Sequence, residues 1–261
     1  MQQVDTLVVV GCSHSFGAET ISEEEHSHPD SVNYSYGKFL ADKLNCKNYH
    51  NISFCGISNF EIVNRAIQFT LKENLNPDTT LFVVGWTDAN RFTFYHKKIF
   101  NKFSLPQFLI KSAPTIFNQP YNFSSYMIKR FILNSNKNYF KYITGKPGGE
   151  EFLTFFDKYI FDTPYYYDLN YNSRLLLNDF FNNRGIKHIT FPTISIKMYD
   201  NTFKYEKILN TKNNILEFND KFSYLNNFKQ YGTYKGGHPK IEAHKAFADF
   251  LYKELIKRQI L

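Results

Sequence analysis

The sequence has few of the residues that build cross-linked or membrane-embedded proteins. Among its 261 residues are three cysteines, Cys12, Cys46 and Cys55. An odd number without a CxxC pair argues against a disulfide framework and a zinc–cysteine site. No apolar run approaches the roughly 18 residues of a membrane span, and no charged and apolar leader precedes the first apolar segment. We therefore expect a reduced, cytoplasmic protein without a signal peptide or membrane span.

Long runs of like charge are also missing. The chain has 31 Lys and Arg against 24 Asp and Glu, a formal net charge of +7. Basic charge can mark a nucleic-acid-binding protein, but these lysines are scattered singly or in pairs such as Lys97-Lys98. This pattern predicts a solvated surface and no nucleic-acid partner. The alternative, nucleic-acid binding, predicts an affinity that falls steeply with salt.

Strand and helix patterns alternate along the chain. Short apolar runs typical of buried strands occupy residues 7–10, 51–56, 81–84 and 186–191. Amphipathic stretches lie between them, and Ser58 with Glu61 forms a capping box that predicts a helix start. Such alternation favours an α/β fold with a parallel sheet. We predict a single domain over residues 1–261, with a cap or lid inserted at about 92–163, where the periodicity blurs.

Polar residues follow the glycines at which several of these strands end. They occur in Gly11-Cys12-Ser13, after Gly56, and in Gly85-Trp86-Thr87-Asp88. The carboxyl ends of parallel strands meet at one edge of a sheet, where ligands bind. His238, just before the last predicted helix, would join them there. Ser13 is therefore a candidate nucleophile and His238 a candidate base, although a plain turn rich in small residues is the alternative for Ser13.

These blocks resemble, in the same order, the motifs of the SGNH (GDSL) hydrolase family. The matching segments are Gly11-Cys12-Ser13-His14-Ser15, Gly56-Ile57-Ser58-Asn59, Gly85-Trp86-Thr87-Asp88 and Lys235-Gly236-Gly237-His238-Pro239. The resemblance covers nearly the whole chain except the insertion. It implies a flavodoxin-like, three-layer α/β/α sandwich with a central parallel sheet, here with an inserted helical cap.

The resemblance also implies roles for individual residues. Ser13 would be the nucleophile and His238 its base, while the backbone N–H groups of Ser13 and Gly56 and the side chain of Thr87 would form the oxyanion hole. The expected function is a serine esterase that cleaves a small acyl or carbohydrate acetyl ester through an acyl-serine, without a cofactor. The alternatives are a catalytically weakened binding or structural protein and an acyltransferase. The oligomeric state stays open.

The chain departs from the family pattern at three positions. Cys12 replaces an aspartate, Thr87 replaces an asparagine, and Lys235 replaces the aspartate that would orient His238. Lysine cannot accept a hydrogen bond from an imidazole. Either a Ser13–His238 dyad works alone, or a backbone carbonyl or another acid, such as Asp220 or Glu242, replaces the missing aspartate.

Several other residues are weaker candidates. His14, Trp86 and Arg91 are candidates for substrate binding, each with packing or a surface ion pair as the alternative. One loop contains residue types that bind metals, namely His26 and His28 with Glu23, Glu24 and Glu25. We expect this segment to be a polar exposed loop and predict no metal. We also expect the last helix to start at about Pro239, so that its dipole favours neutral His238. No Gly-x-Ser-x-Gly elbow surrounds Ser13, which argues against the α/β-hydrolase fold.

Overall fold

The structure is a computed structural model that describes residues 3–87, 91–94, 121–124, 163–193 and 228–261. Only the backbone is described for residues 91–94, 121–124 and 163–169 and for Lys229. The predicted cap at about 92–163 therefore lies outside the described residues, apart from two short strands. Those strands pair with each other in antiparallel fashion, and the helical character predicted for the cap stays a prediction.

A four-stranded parallel sheet forms the centre of the molecule. The described strands are β1 (Thr6–Gly11), β2 (Asn48–Asn51), β3 (Thr80–Trp86), β4 (Arg91–Phe94), β5 (Tyr121–Ser124) and β6 (Lys187–Pro192). Four of them form this sheet in the order β2-β1-β3-β6, and every neighbouring pair is parallel, while β4 and β5 form the separate pair. The α/β class with a parallel sheet, predicted from the alternating patterns, is confirmed.

Helices connect and cover the strands. The α-helices are α1 (Ser13–Phe16), α2 (Tyr36–Lys43), α3 (Asn59–Glu73), α4 (Thr163–Asn182) and α5 (Ile241–Lys257), with short 3-10 turns at Pro29–Tyr34, Pro77–Thr79 and Lys229–Tyr231. Helix α3 begins as its capping box predicts, because the Ser58 hydroxyl accepts a hydrogen bond of 3.3 Å from the Glu61 N–H. No helix in the described ranges combines the length and apolarity needed to cross a membrane.

Two apolar cores, one on each face of the sheet, make the fold three-layered. Alternate residues of a strand point to opposite faces, so Leu7 and Val9 join one core while Val8 and Val10 join the other. Helices α2 and α5 cover the first face, and α3 and α4 cover the second. This double coverage explains why the central strands β1 and β3 are apolar on both faces rather than alternating, and it confirms the predicted α/β/α layers.

Two elements lie at other positions than the sequence predicted. Strand β2 occupies Asn48–Asn51, so it shares only Asn51 with the strand predicted at 51–56. The Asn51 side chain explains this end, because it donates to the Ser15 carbonyl at 2.9 Å and accepts from the Ser53 N–H at 3.1 Å. Helix α5 begins at Ile241 rather than near Pro239. Pro239 instead forms an antiparallel bridge with Thr233, which requires extended backbone.

The glycines that end β1 and β3 let a side chain approach the sheet closely. Gly11 and Gly85 are register partners. A Cβ at Gly11 would lie 2.2 Å from the Ser15 hydroxyl oxygen, and one at Gly85 would lie 2.4 Å from it. The buried Tyr36 hydroxyl donates a hydrogen bond of 2.7 Å to the same oxygen. These contacts seat α1 on the end of the sheet and thereby set the position of Ser13.

Candidate active site

Ser13 lies where β1 meets α1, at the carboxyl edge of the sheet. It is the first residue of that short helix, and its side chain is buried. The preceding Cys12 is anchored by a contact of 3.3 Å between its Sγ and the Thr193 hydroxyl. Helix α1 ends after one turn at Gly17, whose φ of 86° lies in the left-handed region that glycine tolerates best. The helix therefore extends only three residues beyond Ser13.

His238 reaches Ser13 from the other end of the sequence. Its Nε2 lies 3.0 Å from the Ser13 Oγ, across a separation of 225 residues. A tight turn holds it, in which the Gly237 N–H donates to the Tyr234 carbonyl at 2.9 Å and the Tyr234 N–H donates to the His238 carbonyl at 2.8 Å. The expected pairing of the two residues is thus present as a hydrogen-bond contact between buried side chains.

Glu19 lies beside the His238 ring, on the side opposite Ser13. Its Oε2 lies 3.2 Å from the His238 Nδ1, within ion-pair distance. The same oxygen accepts a hydrogen bond of 3.2 Å from the Gly236 N–H. Glu19 is buried and its backbone is left-handed, with a φ of 67°. Such backbone costs a non-glycine residue roughly 1–3 kcal/mol and is found preferentially at functional sites.

The carboxylate of Glu19 lies beside Nδ1 of His238, whereas Nε2 faces Ser13. An ionised carboxylate only accepts hydrogen bonds. The proton of the neutral ring is therefore assigned to Nδ1, the nitrogen that faces Glu19. Nε2 is left with its lone pair directed at the Ser13 hydroxyl. This is the tautomer that a base needs in order to take a proton from serine.

Gly236 makes room for this carboxylate. A Cβ at position 236 would lie 1.7 Å from the Glu19 Oε1. No side chain fits at that distance, so the close approach requires glycine. The glycine pair before His238 thus has two separate causes, the space for Glu19 at Gly236 and the positive φ of 87° at Gly237.

Two further histidines flank the His238 ring. The His14 ring lies with its centroid 5.0 Å from that of His238, and the His26 ring lies 4.5 Å away in an edge-on orientation. His26 also approaches Glu19, with 3.4 Å between its Nδ1 and the Oε1. The Glu19 carboxylate therefore faces one imidazole with each of its oxygens, and Glu19, His26 and His238 place three potential metal-ligating atoms within 4.8 Å of one another.

Thr87 and Gly56 lie at the same edge of the sheet. The Asn59 side chain holds the backbone of Thr87 by accepting from its N–H at 2.8 Å and donating to its carbonyl at 3.0 Å. The Thr87 hydroxyl is buried and has no hydrogen-bond partner among the described residues. Gly56 has a φ of 81°, and the space where its Cβ would lie is open within 4 Å. Hydrogen bonding from the Phe54 N–H to the Gly11 carbonyl at 3.0 Å keeps this turn beside β1.

Of the two acids proposed from sequence as partners of His238, the structure describes one. Glu242 is exposed in the first turn of α5, and Asp220 lies outside the described residues. Lys235 is exposed as well. Sequence reasoning missed Glu19, whose signals were the early glycine after α1 and the Gly-Gly pair before His238. Both indicate a close approach of chain segments.

The prediction that the dipole of the last helix favours neutral His238 is wrong. Because α5 begins at Ile241 with Lys240 as its N-cap, His238 lies outside the helix, and the dipole effect falls off within the first turn.

Two candidates for substrate binding lie elsewhere or outside the described side chains. Trp86 is buried in the core on the α3 and α4 face, with the Arg174 guanidinium 5.5 Å from its ring centroid. The side chain of Arg91 lies outside the described part of the chain.

A second buried histidine in α5 has a different environment. His244 accepts a hydrogen bond of 3.1 Å at its Nδ1 from the Tyr36 N–H, and its ring stacks at 6.1 Å on that of Tyr36. Burial, followed by the charge of nearby His238, lowers the pKa of His244 to about 3. His244 is therefore neutral at physiological pH and joins α5 to the start of α2.

Among comparisons with known proteins, those with solved structures found similar chains. No protein-family model and no curated protein matches the sequence. One similar solved structure, described as a lipolytic protein of the G-D-S-L family from Desulfitobacterium hafniense DCB-2, has 11% identity and a TM-score of 0.43, covering 96% of this chain and 99% of that one. Another, the psychrotrophic esterase EstA from Pseudoalteromonas sp. inhibited by monoethylphosphonate, has 10% identity and a TM-score of 0.45, covering 97% of each chain. At these values neither similarity assigns a function to this chain.

Proposed function

We propose that this protein is a serine hydrolase that cleaves small acyl esters through an acyl–Ser13 intermediate. The observation that carries the proposal is the continuous line from Glu19 through His238 to Ser13, with contacts of 3.2 Å and 3.0 Å. Nucleophile, base and orienting carboxylate are the three parts of the triad arrangement, which is recognised by geometry rather than by sequence order.

In the first half of the reaction, the Ser13 Oγ attacks the ester carbonyl carbon while His238 Nε2 takes the hydroxyl proton. The carboxylate of Glu19 stabilises the positive charge that the ring gains. His238 then returns the proton to the departing alkoxide, and the acyl group stays on Ser13. In the second half, water attacks this acyl group with His238 as its base, releasing the acid and restoring Ser13.

The negative charge of the tetrahedral intermediate needs hydrogen-bond donors. We assign these to the N–H groups of Ser13 and Gly56 and to the Thr87 hydroxyl. The open space beside Gly56 and the buried, unused Thr87 hydroxyl support this assignment. A single donor of this kind is typically worth about 2.7–4 kcal/mol of transition-state stabilisation.

Glu19 also bears on the rival interpretation as a protein that has lost catalysis. That interpretation depended on Lys235 at the position of the expected aspartate and on Thr87 at the position of the expected asparagine. A buried carboxylate beside the His238 Nδ1 removes the first reason, because it supplies the acceptor that lysine cannot. Carbohydrate acetyl esters remain one substrate class within the proposal, and acyl transfer to an acceptor other than water is the outcome that product analysis would distinguish.

A fluorophosphonate probe, which phosphonylates activated serines, tests the proposal. Wild-type protein should be labelled on Ser13, and Ser13→Ala should lose the label. Ser27→Ala, a change at an exposed serine in the loop after Glu19, is the matched control and should be labelled like wild type. Wild-type protein that stays unlabelled, or a label that persists in Ser13→Ala, contradicts the proposal.

A further inference from the structure

We propose that Glu19, His26 and His238 form a zinc-binding site, and that zinc bound there switches the hydrolase off. We assign the ligating atoms to the Glu19 carboxylate and to the Nδ1 atoms of His26 and His238, because these are the ring nitrogens that face Glu19. Two histidines and one glutamate form a recognised ligand set for zinc with a fourth position left open. The binding part of the proposal stands on this geometry alone, whereas the inactivation part rests on the proposed function.

The distances fit such an ion. Zinc binds histidine nitrogen and carboxylate oxygen at about 2.0–2.2 Å, so two ligand atoms of a tetrahedral site lie about 3.3 Å apart. Each of the two contacts that Glu19 makes already has this spacing, 3.4 Å from Oε1 to the His26 Nδ1 and 3.2 Å from Oε2 to the His238 Nδ1. Because these contacts use different oxygens, an ion held by one oxygen must draw the second ring closer. One ligand atom from each residue lies within 4.8 Å of the others, so this movement is at most about 1.5 Å.

Burial divides the cluster into a fixed part and an accessible part. The side chains of Glu19 and His238 are only 5% and 11% exposed, whereas that of His26 is 44% exposed. An ion can therefore enter past His26 and meet two ligands that are already in position. The Gly236 N–H bond to Glu19 helps to orient the carboxylate before any ion arrives, as outer partners of metal ligands commonly do.

Zinc at this place would put His238 in the wrong tautomer for catalysis. A neutral histidine that binds a metal through Nδ1 carries its proton on Nε2. The proton that faces Glu19 in the metal-free ring moves to Nε2 through solvent, with no net gain or loss. Nε2 then donates to the Ser13 Oγ and has no lone pair to take the serine proton. The metal also draws the Glu19 carboxylate away from its role beside the ring.

The binding test is made on Ser13→Ala, so that its result does not depend on hydrolysis. Titration calorimetry with Zn²⁺ should show one site that weakens on the order of a hundredfold when His26→Ala is added. His28→Ala is the matched control, because its ring lies in the same loop and accepts from the Asp30 N–H. Equal zinc affinity in the His26→Ala and His28→Ala proteins, or no binding at all, overturns the site.

The inactivation test uses the fluorophosphonate probe on the protein with Ser13 intact. Zn²⁺ should slow the labelling of Ser13 at least about tenfold, and a chelator should restore it. The His26→Ala protein should show much weaker sensitivity to zinc than the His28→Ala protein. Labelling that zinc leaves unchanged, or accelerates, overturns inactivation. If no labelling occurs even without zinc, the proposed function and the inactivation fail together, and the calorimetric result alone decides the site.

Discussion

His238 and His244 are both buried histidines, six residues apart in the sequence. Their surroundings differ in kind. His238 lies between a hydroxyl and a carboxylate at the edge of the sheet. His244 lies deep between α5 and α2, where it accepts one hydrogen bond from a backbone N–H and stacks on Tyr36. Burial therefore does not distinguish a reactive histidine from a structural one. The groups that face the two ring nitrogens distinguish the reactive histidine from the structural one.

Removal of each ring should separate the two roles, with the largest effect at His238. We expect His238→Ala to lower kcat for ester hydrolysis by about 10⁵-fold or more, as loss of a triad base does, with little change in thermal stability. His244→Ala should instead lower the melting temperature while the folded protein keeps most of its activity. Steady-state kinetics and thermal unfolding of both variants measure this. Loss of activity in the folded His244→Ala protein, with normal activity in His238→Ala, would reverse the assignment.

The second largest effect is expected at Glu19, a positioning residue that acts through His238. Glu19→Gln removes the charge but keeps the shape, and kcat should fall roughly 10³–10⁴-fold while KM changes little. Glu24→Gln, at an exposed glutamate of the same loop, is the control and should be unchanged. A Glu19→Gln enzyme as fast as this control would mean that a Ser13–His238 dyad suffices.

Gly236 tests whether the position of the carboxylate matters. The methyl group of Gly236→Ala would occupy the place of the Glu19 Oε1, so the carboxylate must move. A displacement of this size beside the reacting groups should lower kcat about 10²-fold. Lys235→Ala, a change at the exposed neighbour, should have no effect on kcat. Equal rates in the two variants would show that Glu19 need not be held where it lies.

The smallest effect concerns the pH dependence of folding at His244. Its pKa is about 3 in the folded protein and about 6.5 when unfolded, so the unfolded state binds more protons between these values. Stability should therefore fall as the pH drops below 6.5, by about 2 kcal/mol at pH 5 from this group.

His244→Asn isolates that contribution, because the Asn oxygen can accept from the Tyr36 N–H without titrating. Urea unfolding at pH 7.5 and pH 5 should show that the stability of wild type relative to His244→Asn decreases by about this amount. A stability difference that stays constant between the two pH values would contradict the neutral, buried state of His244.

Local sequence patterns predicted most of the fold and part of the site. The apolar runs predicted β1, β3 and β6 of the parallel sheet, whereas the polar strand β2 was misplaced because its sequence has no apolar run. Ser13 and His238 stood out because they follow a strand and precede a helix. Glu19 could not be found this way. It acts from a loop position with left-handed backbone, in a segment with several glutamates and no periodicity, and it meets Gly236 across 217 residues. Only the folded chain determines which of those acids turns inward.

The most direct test of the central claim is a rapid-mixing experiment with a p-nitrophenyl ester, followed by mass analysis of the quenched protein. An acyl–Ser13 intermediate predicts a burst of about one p-nitrophenolate per chain and an acyl group on the peptide that contains Ser13, both absent in Ser13→Ala. A linear time course with no acylated protein, or an acyl group on another residue, would contradict it.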